Sequence, residues 1–177
     1  RRQRQLCIRD RLKGFQLWVN LPADQKLVAP SYQEFSAADI PTETRDQARI
    51  KVITGVTSMG TKGPVINHHI SPLMLDVTLD KDGVFTEATD PDDSMFIIVI
   101  SGAVTLSPEQ QPIVKTNQFA ILSSGDSVSI ASLTDNTQFL LVSAKPLKEP
   151  VVKGGPFVMN TEAEVQQAFL DYRNGLL

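Results

Sequence analysis

Two adjacent histidines, His68 and His69, are the residues whose type points most directly to metal chemistry. Metal enzymes built on small β-barrels usually hold the ion with a His-x-His pair, a carboxylate and a further histidine. Here the stretch "VINHHISP" (residues 65–72) is typical of β-structure, and adjacent side chains of a strand point to opposite faces. A third ligand would be Asp76, Glu87 or a more distant acid, and nothing in the spacing selects one. We therefore predict no metal and no cofactor, with His68 and His69 as the ligands if a metal does bind.

A glycine-rich stretch, "GVTSMGTKG" (residues 55–63), is close to a phosphate-binding loop. That loop needs a lysine directly after the second glycine, then Ser or Thr, then a helix. Thr61 intervenes before Lys62, and Pro64 leads into sequence typical of a strand. We interpret the stretch as a connection between strands.

The acidic stretch "ATDPDD" (residues 88–93) lacks the twelve-residue spacing and the terminal glutamate of an EF-hand. We interpret it as a solvated turn. The sequence also contains no G-x-S-x-G motif, and we predict no catalytic residue.

The charge of the chain is unevenly distributed. Its net charge is −3, yet residues 1–13 contain six basic side chains against Asp10, which gives +5 there and −8 elsewhere. An acidic body repels phosphate, so a partly solvated tail or a face for an acidic partner is favoured over nucleic-acid binding.

Cysteine content and hydropathy indicate the compartment. Cys7 is the single cysteine, which excludes an internal disulfide and fits a reducing cytosol. No apolar run approaches the roughly 20 residues that span a bilayer. We predict a cytoplasmic protein with no membrane contact.

Hydrophobic alternation of period two dominates the chain and predicts an all-β fold. In "LMLDVTL" (residues 73–79), every second side chain is a branched apolar one. An unbroken apolar run at residues 95–100 predicts a strand that is buried on both faces. Further strands are predicted at 15–21, 49–54, 126–132 and 137–144, and a weak helical turn at 42–47.

One helix is predicted, over residues 162–174. Thr161 and Glu164 have the spacing of a capping box, and Gly175 suits the position after the C-cap. The apolar stripe at helical spacing consists of Val165, Ala168, Phe169 and Tyr172.

Two long stretches, "QLWVNLP" (residues 16–22) and "EPVVKGGPFVMNTEAEVQQAFLDYRNG" (residues 149–175), resemble signature stretches of the pirin family in the cupin superfamily. Between them, "GPV", "LDVTL", "SGAV", "AILSSGDSV" and "KPLKEPV" follow in the family's order, so the resemblance covers about residues 15 to 175. It implies a single cupin-type barrel (a double-stranded β-helix, or jelly roll) with a C-terminal helix.

The resemblance concerns the second of the two barrels that pirins carry. In that family the metal lies in the first barrel, held by three histidines and a glutamate. Some members have quercetin dioxygenase activity, and others act as iron-responsive transcription coregulators. The opening "RRQRQLCIRDRLKG" resembles no motif of the first barrel, and no functional residue of the family transfers to His68 or His69.

We divide the chain into an N-terminal basic arm and strand (residues 1–30) and a cupin barrel with its helix (residues 31–177). In two-barrel pirins the "QLWVNLP" strand pairs with the first barrel, so here it would leave an unpaired apolar edge. We predict that residues of about 5 to 21 pair with a second copy, as an exchanged strand in a two-fold homodimer. The expected interface residues are Leu6, Ile8, Phe15, Leu17, Trp18 and Val19.

The predicted function is that of a non-catalytic, metal-free module that binds a protein partner or a small apolar ligand, as a homodimer. One alternative is a quercetin-dioxygenase-type, metal-dependent oxidoreductase with a metal at His68 or His69. Another is a coregulator-like protein whose residues 1–13 contact nucleic acid, with binding that falls steeply with salt.

Overall fold

The computed structural model describes residues 14–66, 69–106 and 112–176. These residues form two compact units. The larger runs from Pro22 to Pro150, and the smaller combines the described residues before Pro22 with those after Pro150. The boundary that we predict at residues 30 and 31 stays a prediction.

Two antiparallel sheets make up the larger unit, after a short 3-10 helix at Ala23–Gln25. The six-stranded sheet has the order β1-β2-β3-β10-β5-β8, and the four-stranded sheet has the order β4-β9-β6-β7. The all-β prediction is confirmed. The strands are β1 (Thr42–Arg45), β2 (Ala48–Thr54), β3 (Leu73–Leu79), β4 (Val84–Ala88), β5 (Ser94–Ser101), β6 (Ala103–Thr105), β7 (Ile113–Lys115), β8 (Phe119–Leu122), β9 (Ser127–Ser132) and β10 (Thr137–Ala144).

The core is built from alternate side chains of both sheets. Leu75, Val77 and Leu79 of β3 are fully buried, as their spacing predicts. Phe85 of β4 and Phe139 of β10 meet edge to face, with ring centroids 5.9 Å apart. Because these two strands belong to different sheets, the ring pair links them through the interior.

Strand β5 departs from its prediction. Met95, Ile97 and Val99 lie in the core, but Phe96 and Ile98 on the opposite face are only half-buried. The expectation of two buried faces is therefore wrong. An apolar run does not reveal how much cover its second face receives, because that cover comes from residues distant in sequence.

The prediction of a helical turn at residues 42–47 is also wrong. The segment forms β1 and the turn of a hairpin in which Arg45 pairs with Ala48 of β2. Asp46 takes a φ of 33° at the turn, a region that Asp tolerates better than most residues. Pairing with β2 outweighs the weak local preference for helix.

The smaller unit contains a hairpin, β11 (Val152–Gly154) and β12 (Phe157–Met159), and the helix α1 (Glu162–Arg173). The capping box is confirmed: Thr161 Oγ1 accepts from the Glu164 amide, and Glu164 Oε2 accepts from the Thr161 amide. Gly175 has a φ of 70° and ends the helix as predicted. Phe157 of the hairpin meets Phe169 of the helix edge to face at 5.1 Å.

Residues 15–21, which we call the junction segment, have no regular secondary structure. The strand that we predict there is therefore absent from this single copy. A strand needs a neighbouring strand, and no strand of the described ranges pairs with residues 15–21. Alternation sets the faces of the side chains but does not supply that neighbour.

Candidate functional site

The connection between β4 and β5 forms the rim of two cavities in the larger unit. One has a volume of about 380 Å³ and the other about 480 Å³. Both are lined by Thr89, Asp90 and Asp93, so the turn between the two strands borders both cavities. Each cavity is large enough for a small molecule.

Hydrogen bonds within the turn fix the position of Asp90. Its Oδ1 accepts from the Asp92 amide at 3.0 Å, and its carbonyl accepts from the Asp93 amide at 3.0 Å. Lys145 Nζ lies 3.1 Å from Asp90 Oδ2. The backbone amide of Asp92, followed by the ammonium of Lys145, lowers the pKa of Asp90. Asp90 is therefore a fixed anion at the rim.

Asp93 is held from the opposite side by β10. The buried hydroxyl of Ser143 donates to Asp93 Oδ2 at 2.7 Å. Thr89 on the same turn donates to the carbonyl of Gly125 at 2.7 Å. A half-buried carboxylate held in this way can accept further hydrogen bonds from a ligand in either cavity.

The cavity walls combine hydroxyl groups with apolar side chains. The smaller cavity has Ser127 and Ser129 beside Met95 and Leu122. The larger cavity has Thr54, Lys62, Val65 and Leu73 among its lining residues. Such walls suit a ligand with an apolar skeleton and hydrogen-bonding substituents.

A second polar cluster joins β1 to β4. The guanidinium of Arg45 donates through Nε to Glu43, and through Nη2 to Glu87 Oε2 at 2.7 Å. Glu87 is 1% exposed, and its other oxygen accepts from the Ser58 amide. Thr57 Oγ1 donates to the second oxygen of Glu43 at 2.6 Å. Every carboxylate oxygen of the cluster thus has a donor within the protein.

The charges of this cluster stabilise one another. Burial by itself would raise the pKa of Glu43, but hydrogen bonds from Thr57, Thr61 and Arg45 outweigh it and lower that pKa. Burial by itself would lower the pKa of Arg45. Hydrogen bonds and charge attraction from Glu87 and Glu43 outweigh burial, so the pKa of Arg45 is raised. The Arg45 guanidinium also lies 5.5 Å from the centroid of the Phe85 ring. The cluster therefore links the six-stranded sheet, through β1, to the four-stranded sheet, through β4.

The structure describes one of the two histidines. His69 is exposed, and His68 lies outside the described residues. Of the acids that we weigh as a third ligand, Asp76 accepts from Gln138 Nε2 at 2.7 Å and Glu87 belongs to the Arg45 cluster. Among the described residues, no three His, Cys, Asp or Glu side chains are grouped as a metal would require.

Four of the six predicted interface residues belong to the described part of the junction segment. Trp18 is 68% exposed, and Phe15, Leu17 and Val19 are exposed as well. Leu6 and Ile8 lie outside the described residues. The segment thus presents apolar surface in a single copy, although the predicted interface stays a prediction.

The glycine-rich stretch at residues 55–63 is a connection between strands, as predicted. Gly55 and Gly60 take positive φ angles of 85° and 88°, and the Thr57 amide donates to the carbonyl of Thr61 at 3.0 Å. The acidic stretch at residues 88–93 is a turn, also as predicted. Its position at the rim of both cavities was not predicted, because no local motif marks it.

Of the helices in the described ranges, none has the length and apolar character needed to cross a lipid bilayer.

Comparison with known proteins supports the resemblance. The family described as the pirin C-terminal cupin domain matches residues 74–177. A pirin-like protein of Caulobacter vibrioides is 40% identical over 166 residues, which cover 93% of this chain and 59% of that protein. Pirin of Mus musculus is 38% identical over 170 residues, which cover 95% of this chain and 58% of that protein.

A solved structure of quercetin 2,3-dioxygenase from Acinetobacter baumannii has the same fold, with a TM-score of 0.81 and 32% identity. The match covers 89% of this chain and 54% of that chain. The cupin-type barrel with a C-terminal helix is therefore confirmed. The chain spans somewhat more than half the length of these relatives.

Proposed function

Because the chain belongs to the pirin family and carries its C-terminal cupin domain, we propose that it works by binding rather than by catalysis. In this proposal it is a metal-free module of the cytoplasm that takes a small molecule at the barrel opening. It also pairs with a second copy through the junction segment.

The observation that carries the proposal is the pair of cavities around Asp93. The residues that line the two cavities offer a fixed carboxylate, several hydroxyls and apolar walls around the same turn. The Ser143 hydroxyl orients the Asp93 carboxylate, so a ligand donor meets an acceptor that is already in place. A flat apolar molecule with hydroxyl groups matches these features.

Quercetin is a suitable probe, because it combines apolar rings with hydroxyl donors. Titration calorimetry, without oxygen and with a chelator present, measures its binding to the purified protein. We expect Asp93→Asn to weaken binding at least about tenfold, since a hydrogen bond to a charged group contributes roughly 1.5–3 kcal/mol. Asp92→Asn is the matched control, because Asp92 is exposed on the same turn and lines neither cavity.

Equal binding by the wild type and Asp93→Asn would contradict a ligand site at this opening. Native mass spectrometry of the same sample reports the subunit number and any bound metal. A metal-free dimer is the expected species. A monomer at tens of micromolar would contradict the proposed pairing.

A second candidate function is metal-dependent oxidation of a flavonol. It is favoured by the likeness to the Acinetobacter quercetin 2,3-dioxygenase, of which this chain covers about half. It predicts a stoichiometric metal that is lost in His68→Ala or His69→Ala, together with oxygen uptake in the presence of quercetin. Metal retention of this kind would replace the metal-free proposal.

A further inference from the structure

The glycine-rich stretch at residues 55–63 contacts both the larger cavity and the buried cluster around Arg45. Its middle reaches the cluster at Glu43 and Glu87. The structure describes the whole stretch, and none of its residues lines the smaller cavity. The stretch therefore links one of the two cavities to the charged cluster. The residues near its ends that line the larger cavity are Gly55, Val56, Lys62 and Gly63.

Thr57 makes the contact on which this link depends. The residue is buried, with 4% of its surface exposed. Its Oγ1 donates to Glu43 Oε2 at 2.6 Å and accepts from the Thr61 amide at 3.1 Å. The Thr57 amide in turn donates to the Thr61 carbonyl at 3.0 Å. The hydroxyl thus uses its donor on the cluster and its acceptor capacity across the stretch.

The ends of the stretch are held together and packed on β2. Val56 and Lys62 form an antiparallel bridge, and the Gly63 amide donates to the Gly55 carbonyl at 2.9 Å. A methyl group at Gly63 would lie 2.6 Å from backbone atoms of β2, so the two segments are in direct contact. The backbone at Val56 and Lys62 is therefore held by β2 on one side and by Thr57 on the other.

We infer that the ligand occupies the larger cavity and that Thr57 is a positioning residue for the cavity wall. This inference rests on the proposed binding function and names the cavity that serves it. Thr57 lines neither cavity, so it acts on a ligand only through the wall at Val56 and Lys62. A wall that is in place before binding loses little conformational freedom when the ligand enters. Val56 offers an apolar contact, and the ammonium of Lys62 can donate to a ligand oxygen.

Two substitutions at Thr57 separate its hydroxyl from its packing in the full chain. Thr57→Val keeps the branched shape without the hydroxyl, whereas Thr57→Ser keeps the hydroxyl. Calorimetric titration with quercetin, without oxygen and with a chelator, should show about fivefold weaker binding to Thr57→Val, because one net hydrogen bond changes an equilibrium roughly two- to tenfold. Thr57→Ser should bind within about twofold of the wild type.

Thr137→Val is the matched control for the loss of a buried hydroxyl. Thr137 is fully buried at the start of β10, and it lines neither cavity. Its hydroxyl bonds with Ser132 and Thr134. Thr137→Val should lower the free energy of unfolding, as Thr57→Val does, yet leave quercetin binding unchanged. Equal weakening of binding in both valine variants would reflect a general loss of stability and would overturn the role of Thr57.

Hydrogen exchange of the wild type identifies the occupied cavity without any substitution. Quercetin should slow the exchange of amides in residues 55–63. Protection of residues 123–129 alone would place the ligand in the smaller cavity and overturn the inference. If Asp93→Asn weakens binding while Thr57→Val binds like the wild type, the proposed function stands and the role of Thr57 is wrong. If quercetin does not bind the wild type, the proposed function and this inference both fail.

Discussion

Side chains far apart in sequence create the charged cluster around Arg45. Arg45 and Glu87 lie 42 residues apart and meet only because β1 and β4 come together. No spacing rule reaches across that interval, so the sequence predicted neither the cluster nor the role of Ser143 beside Asp93. The solvated turn was predictable because Asp and Pro favour turns locally.

Removing the arginine should be costly for stability. Arg45→Met leaves the carboxylates of Glu43 and Glu87 buried without their cation, and breaking a buried pair in this way typically costs about 3–5 kcal/mol. Urea unfolding monitored by circular dichroism measures the change. Arg49→Met, on the exposed side of β2, should change the free energy of unfolding by less than about 0.5 kcal/mol. Equal effects of the two substitutions would show that the cluster adds no stability.

Acid should weaken the same cluster. Glu43 has its pKa lowered by folding from the model-compound value of 4.5, so the unfolded chain binds its proton at a higher pH than the folded chain does. The stability that Glu43 contributes is therefore complete above about pH 4.5 and is lost as the pH falls through the lower folded value. Urea titrations from pH 7 to pH 3 should show a smaller acid loss for Glu43→Gln than for the wild type. A parallel pH dependence of the two proteins would contradict this assignment.

At the level of elements, local signals predicted the C-terminal helix and long-range pairing decided the strands. The capping box and Gly175 delimit α1 within the sequence itself. Residues 42–47 and 15–21 carry weaker local preferences. Pairing with β2 settles the conformation of residues 42–47, whereas no strand in the described ranges pairs with residues 15–21. Strand predictions succeed where a segment with alternating apolar side chains also has a strand beside it to pair with, as in β3.

Close packing between hairpin and helix makes Gly154 a sensitive position. A methyl group at Gly154 would lie 2.4 Å from Val165 Cγ1, so Gly154→Ala should cost about 1–3 kcal/mol through overpacking. Hydrogen exchange of the α1 amides reports this loss within the smaller unit. Gly125→Ala is the control, because the nearest atom there is 3.6 Å away. Unchanged exchange in α1 of Gly154→Ala would contradict the close contact.

For the whole molecule, the uneven charge distribution predicts how association responds to salt. Residues 1–13 carry +5 and the remainder of the chain carries −8, so the proposed pairing of two copies would bring opposite charges together. Exposed charges are screened beyond about 8–10 Å at physiological ionic strength. Raising NaCl from 50 to 500 mM should therefore weaken dimerisation several-fold, as measured by sedimentation equilibrium.

The same assembly predicts the effect of deleting residues 1–13. That deletion keeps the junction segment, so the proposed dimer should persist through apolar contacts while its salt dependence disappears. A truncated protein with undiminished salt dependence would place the electrostatic contact elsewhere. A truncated monomer would show that the basic arm, rather than the junction segment, holds the two copies together.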